Sequence, residues 1–165
     1  MLAKLTLYST LERQPVDSQV ETYASRSYLV NTDCITEMTD ETTYRKIHYK
    51  FNPNEGKTTP FEFDVTNTAS AITTLADATK QSEILTLKVF EDEHGNSIQS
   101  FNQASGLTSK TRYFNVDNVV WGEENPDATY TRIWVKAGGN KNIPLVIDYT
   151  ITQIVNLTDT GATSA

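Results

Sequence analysis

Cys34 and His48 are the residue types that a thiol nucleophile and its general base require. A working pair also needs a third group to orient the imidazole, and the surrounding sequence offers none. Cys34 is therefore read as a strand residue and His48 as a surface residue. Carboxylates gather in Glu37-Met38-Thr39-Asp40-Glu41, in Gly122-Glu123-Glu124-Asn125-Pro126-Asp127 and in Glu91-Asp92-Glu93-His94. Such clusters supply the hard oxygen ligands of calcium, but without the regular ligand spacing of a calcium loop. They read as solvated turns. Paired carboxylates for glycoside hydrolysis depend on a separation that only the fold sets. With 2 His and 1 Cys, zinc chemistry lacks ligands. No P-loop, dinucleotide fingerprint, nucleophile elbow or HExxH occurs, so the chain is expected to use no cofactor and no metal and not to be an enzyme.

Recognition chemistry is better represented. Lys46, His48, Lys50 and Arg132 form a basic strip on strands of an otherwise acidic chain. Trp134 points outward by the same alternation as Arg132. These five residues are the candidate partner surface, suited to an acidic protein. Trp134 is either an interface anchor, a sugar platform or a residue buried between units or subunits; burial is the favoured reading.

Alternation of period two sets the elements that carry these residues. Ile47, Tyr49 and Phe51 share one face, against Lys46, His48 and Lys50 on the other. Thr131, Ile133 and Val135 likewise oppose Arg132, Trp134 and Lys136. Phe61-Phe63-Val65 and Leu145-Ile147-Tyr149-Ile151 continue the pattern. The clusters Asn52-Pro53-Asn54-Glu55-Gly56 and Gly138-Gly139-Asn140 mark hairpins near 43–66 and 129–152, and Glu93-His94-Gly95-Asn96 marks another turn. Earlier strands are expected near 3–9, 18–23 and 27–37, with counterparts near 83–91, 97–102 and 110–121. Residues 69–79 could be a short helix or a strand, and Gln153–Leu157 reads as strand.

The chain also repeats itself. Leu5-Thr6-Leu7 recurs as Leu85-Thr86-Leu87, and Asn31-Thr32-Asp33 as Asn115-Val116-Asp117. Thr43 to Lys50 matches Thr129 to Lys136, Pro60 to Thr68 matches Pro144 to Thr152, and Leu75-Ala76-Asp77 matches Leu157-Thr158-Asp159. The order is kept and the offset stays between 80 and 86. The expected fold is therefore all-β: a tandem duplication of a sandwich-like or barrel-like unit, 1–78 and 82–160, followed by a polar tail, 161–165. A unit of this size is marginal alone, so the halves should pack on each other, as a pseudo-twofold pair.

Composition bounds the partners. The chain has 165 residues, a net charge of -7 and 38% hydrophobic residues, which describes a globular acidic protein. That charge argues against gripping nucleic-acid phosphates or an anionic membrane. No apolar run is long enough to span a bilayer. The start, Met1-Leu2-Ala3-Lys4-Leu5, lacks the features of a secretion signal, so assembly in a host cytoplasm is expected.

A Thr- and Asn-rich β chain with a repeat, an acidic surface and no catalytic motif resembles the small accessory virion proteins of tailed bacteriophages. The likeness is to capsid decoration, or cement, proteins above all, and it covers the whole chain in style. It implies many copies clamping neighbouring subunits of a major capsid protein, with no catalytic residues, and with edge strands available to extend a neighbour's sheet. A tail, neck or head-fibre component is the close alternative. A carbohydrate-binding β-module is another, if Trp134 or Tyr130 lines a groove.

Overall fold

The computed structural model describes residues 1–8, 27–53, 61–77, 84–104, 106–125, 129–137 and 141–158. The fold is all-β in class, with two short helices. In the first half β1 (Leu2–Thr6) and β2 (Ser27–Asn31) lead through a 3-10 turn (Thr32–Cys34) to β3 (Ile35–Asp40), β4 (Arg45–Tyr49), β5 (Phe61–Val65) and α1 (Ala69–Asp77). In the second, β6 (Ile84–Glu91) and β7 (Thr108–Asn115) lead through a 3-10 turn (Val116–Asn118) to β8 (Val119–Glu124), β9 (Thr131–Lys136), β10 (Asn142–Ile147) and α2 (Ile151–Thr158).

The strands form a seven-stranded sheet, ordered β1-β2-β8-β9-β10-β6-β7, and a three-stranded sheet, β3-β4-β5. A bridge between Leu7 and Val65 ties β5 to the end of β1, so the two sheets follow one another. The resulting succession is β3-β4-β5-β1-β2, then β8-β9-β10-β6-β7, antiparallel throughout.

Local detail recurs between the halves. Leu2 pairs with Asn31 and Thr6 with Ser27; Ile84 pairs with Asn115 and Lys88 with Thr111. Asn31 and Asn115 each open a 3-10 turn by accepting the amide of an Asp two residues on. The β3–β4 and β8–β9 ladders slip at one step each, Ile35/Glu37 and Val119/Trp121. Thr66 donates its amide to Thr6 and Asp148 to Lys88, at 2.9 and 2.8 Å. These registers set Leu7 against Val89 and Val65 against Ile147. That is two residues away from the sequence matches Leu7/Leu87 and Val65/Tyr149. A shift of two keeps every side chain on its face, so alternation alone does not detect it.

Several expectations are corrected. A closed pseudo-twofold pair would join β2 to β8 and β7 to β3. Only the first joint is made, because β3 and β7 stand at opposite ends of the succession. The halves contact each other one way. The strands expected at 27–37 and 110–121 are each broken by a 3-10 turn. At 97–102 there is one bridge, Ser97 to Glu91, and then a 3-10 turn (Phe101–Gln103). Gln153–Leu157 is helix, not strand. Thr150 and Gln153 form a capping box, each side chain holding the other's amide at 3.1 and 2.9 Å. Ile151 and Ile154 then fall on one buried helical face. Residues 69–77 resolve as helix, opened by Thr68 accepting from the Ala71 amide. The expected strand at 18–23, the joint near 78–82, most of the turns at 52–56 and 138–140, and the tail 161–165 lie outside the described residues.

The halves share their cores. Trp121 of β8 and Trp134 of β9 enter the first half's cluster, among Tyr28, Tyr49, Phe61 and Phe63. Leu2 and Leu29 enter the second half's cluster, beside Ile133, Val135, Ile151 and Ile154. Gly122 makes this seam tight, since a Cβ there would lie 2.8 Å from the Cβ of Leu29.

Candidate functional site

Cys34 ends the first 3-10 turn and is half-buried; its thiol meets the hydroxyl of Tyr49. Burial pushes the thiol above its ordinary value, against its contact with the Tyr49 hydroxyl and the nearby charges of Lys136 and Lys50. Tyr49 is itself committed. Its hydroxyl accepts the Asn31 amide at 2.9 Å and donates to the Val120 carbonyl at 2.5 Å, and burial raises it well above the ordinary phenol range. His48 instead faces Glu62, Nδ1 to Oε1 at 3.3 Å. The thiol is packed as a structural group, with its thiolate disfavoured.

This yields a test. A raised thiol pKa means less thiolate at neutral pH, so Cys34 should react with a disulfide reagent more slowly than an open thiol at pH 7.5. The rate should climb only above the ordinary thiol range. Cys34→Ser should change unfolding stability by about 1 kcal/mol or less. A rate faster than a free peptide thiol would restore the nucleophile reading.

The five candidate partner residues do not form one strip. Lys46 lies opposite Thr39 and Asp64, and His48 opposite Glu37 and Glu62, so the outer face of β4 alternates in sign across its neighbours. Lys50 reaches the Asp33 carbonyl at 3.3 Å. Arg132 and Trp134 belong to the other sheet. Trp134 is 8% exposed and packs on Phe51, which agrees with the favoured reading of burial between the halves and leaves it no exposed partner face. Arg132 pairs with the carboxylate of Glu123, which is 1% exposed, and lies over the rings of Trp134 and Phe101 at 4.9 and 5.3 Å.

The acidic segments are corrected as well. Gly122 to Asn125 is buried strand and strand end, not a solvated turn. Glu124 accepts the Ser27 amide at 3.0 Å and thereby helps join β8 to β2. Glu37 and Asp40 belong to β3, where Asp40 meets Arg45 at 2.5 Å. Asp92 shapes its turn: amides of Asn96 and His94 donate to it at 2.9 Å and hold its carboxyl below the usual range. Among the described residues no group of three His, Cys, Asp or Glu could hold a metal ion. An open cleft of about 510 Å³ is lined by Asp92, Ser97, Ile98, Gln99, Gln103 and Leu107, with no aromatic platform. Tyr130 is half-buried and meets Phe90 edge-on at 5.0 Å. Of the two rings proposed for sugar stacking, Trp134 is buried and Tyr130 is only partly exposed.

Sequence reasoning missed the large apolar side chains that stand most exposed among the described residues. Tyr113, on β7, is 71% exposed, and Ile84, on β6, is 54% exposed. The alternating pattern of β7 carried the signal, because Arg112 and Phe114 face away from Tyr113. Among the described residues no helix is long and apolar enough to cross a membrane. No family model, no curated protein and no solved structure matches the chain.

Proposed function

We propose that this chain is a structural virion protein that works by assembly and not by catalysis. The observation that carries the reading is where its chemistry is spent. Cys34, Glu123, Glu124, Arg132 and Trp134 are held in internal contacts, while exposed apolar side chains stand at Leu75, Ile84, Tyr113 and Ile143. Large exposed apolar side chains on sheet strands suit burial against another protein.

The halves 1–78 and 82–160 are read as a tandem duplication. The shared element order, ladder registers, bulge positions and paired Asn-Asp turns support this. A cement protein clamping a major capsid lattice in many copies remains one role. Among the described residues the strand at each end of the succession has one unpaired edge, which favours the alternative, a ring-forming tail or neck component, because such ends suit repeated side-by-side addition.

Sedimentation of the full chain, alone and with expanded tailed-phage capsids, tests the proposal. Closed rings formed by the protein alone support the tail or neck role. Co-sedimentation at fixed stoichiometry supports the capsid role. A monomer that ignores the capsids overturns both.

A further inference from the structure

The joint between the halves is a template for a joint between molecules. We propose that β7 of one copy pairs antiparallel with β3 of the next, repeating the β2–β8 seam head to tail. This rests on the repeat relation above and is independent of which particle the copies build.

The register follows by arithmetic. Within the chain, Tyr28 pairs with Glu123, Leu29 with Gly122 and Val30 with Trp121. The turn residues Asn31 and Asn115 set an offset of 115 − 31 = 84, and Ile35 and Val119 give the same, 119 − 35 = 84. Moving β2 forward and β8 back by that offset pairs Arg112 with Thr39, Tyr113 with Met38 and Phe114 with Glu37. Two seam hydrogen bonds have counterparts with the same chemistry. Ser27 donates its amide to Glu124, and Asn31 donates its side-chain amide to the Val119 carbonyl, at 3.0 Å each. Their equivalents are the Thr111 amide to Asp40 and the Asn115 side chain to the Ile35 carbonyl.

Burial agrees. β2 and β8 are buried along their whole length, whereas β7 and β3 are half-buried or exposed. The exposed apolar residues occupy positions that the first joint covers. Ile84 stands where Leu2 is 2% exposed, and Tyr113 where Leu29 is fully buried. Ile143 stands where Phe61 is buried, and Leu75 where Leu157 is packed into the second core. Charge also fits: Lys110 falls opposite Glu41, and Arg112, on the same face, lies diagonal to Glu41 and Glu37. Two features differ. Met38 replaces Gly122, so the second joint takes ordinary cross-strand spacing and not the close approach of the first, and Glu37 replaces Trp121, so no ring crosses into the neighbouring core.

Repetition of a one-way joint makes rings when the rotation closes and filaments when it does not. The test places Tyr113→Cys in one preparation and Met38→Cys in another, both in a Cys34→Ser background, and bridges thiols with a short bifunctional reagent. The mixture should give a dimer, each variant alone should give none, and the double variant should give a ladder or closed ring. A dimer from Tyr113→Cys alone would mean β7 pairs with itself and overturn the proposal. Absence of any bridged product, with circular dichroism showing the native fold, would also overturn it. As a second readout, Ile84→Lys with Tyr113→Lys should weaken self-association in sedimentation by about tenfold or more, by stranding ammonium groups in an apolar seam. Unchanged self-association would count against the joint.

Discussion

Trp121→Ala should cost about 3–5 kcal/mol of unfolding free energy. Trp121 is fully buried, and its ring lies 4.6 Å from Tyr28, 5.0 Å from Phe63, 5.3 Å from Phe61 and 5.4 Å from Tyr49. It comes from the second half and completes the core of the first. Its loss therefore opens a cavity and weakens the contact that makes the halves one body. A domain holds only about 5–15 kcal/mol in total, so the variant sits near the limit of folding. Thermal unfolding should fall by about 6–20 °C, at about 2–4 °C per kcal/mol for a chain this long. Trp121→Phe should lose much less. It keeps a ring, and it removes an indole N–H that finds no hydrogen-bond partner among the described residues. Equal losses for Ala and Phe would refute the packing account.

Arg132→Ala should cost a similar amount, about 3–5 kcal/mol, through a different mechanism. The guanidinium neutralises the Glu123 carboxylate, which is buried beside the seam. Removing it strands a charge where solvent does not reach, and also strips a cation from the faces of Trp134 and Phe101. The double variant Glu123→Gln with Arg132→Met should recover much of the loss, because no buried charge is then left uncompensated. Chemical denaturation of the single and double variants measures this as a coupling energy. Additive losses would show that the two side chains act independently.

Much of the strand layout is legible in the sequence because alternation is a local property. The faces of Ile47/Tyr49 and Ile133/Val135 follow from period two, and both are buried. The α2 helix was also encoded, by the Thr150–Gln153 box and by apolar residues at 151, 154 and 155. The run from Ile151 to Leu157 is β-branched enough to imitate a strand, and that imitation prevailed. The basic strip failed for a different reason. Alternation places Arg132 and Trp134 off one face, but there Trp134 packs on Phe51 of the first half and Arg132 pairs with Glu123 of its own half.

By itself, the sequence determined the class of fold, the alternating faces of β4 and β9 and the recurrence of the Asn31 and Asn115 segments. These depend on neighbours a few residues apart. Only the tertiary structure decided that β2 joins β8 while β7 and β3 each keep an edge unpaired among the described residues, that Trp121 crosses into the first core, and that Glu123 is buried against Arg132. The physical reason is that an edge strand offers the same backbone donors and acceptors to any partner. What selects the partner is side-chain fit across the seam, where Gly122 yields to Leu29 and Trp121 fills the space among four rings. That fit joins residues roughly ninety positions apart, and period-two reading has no access to it.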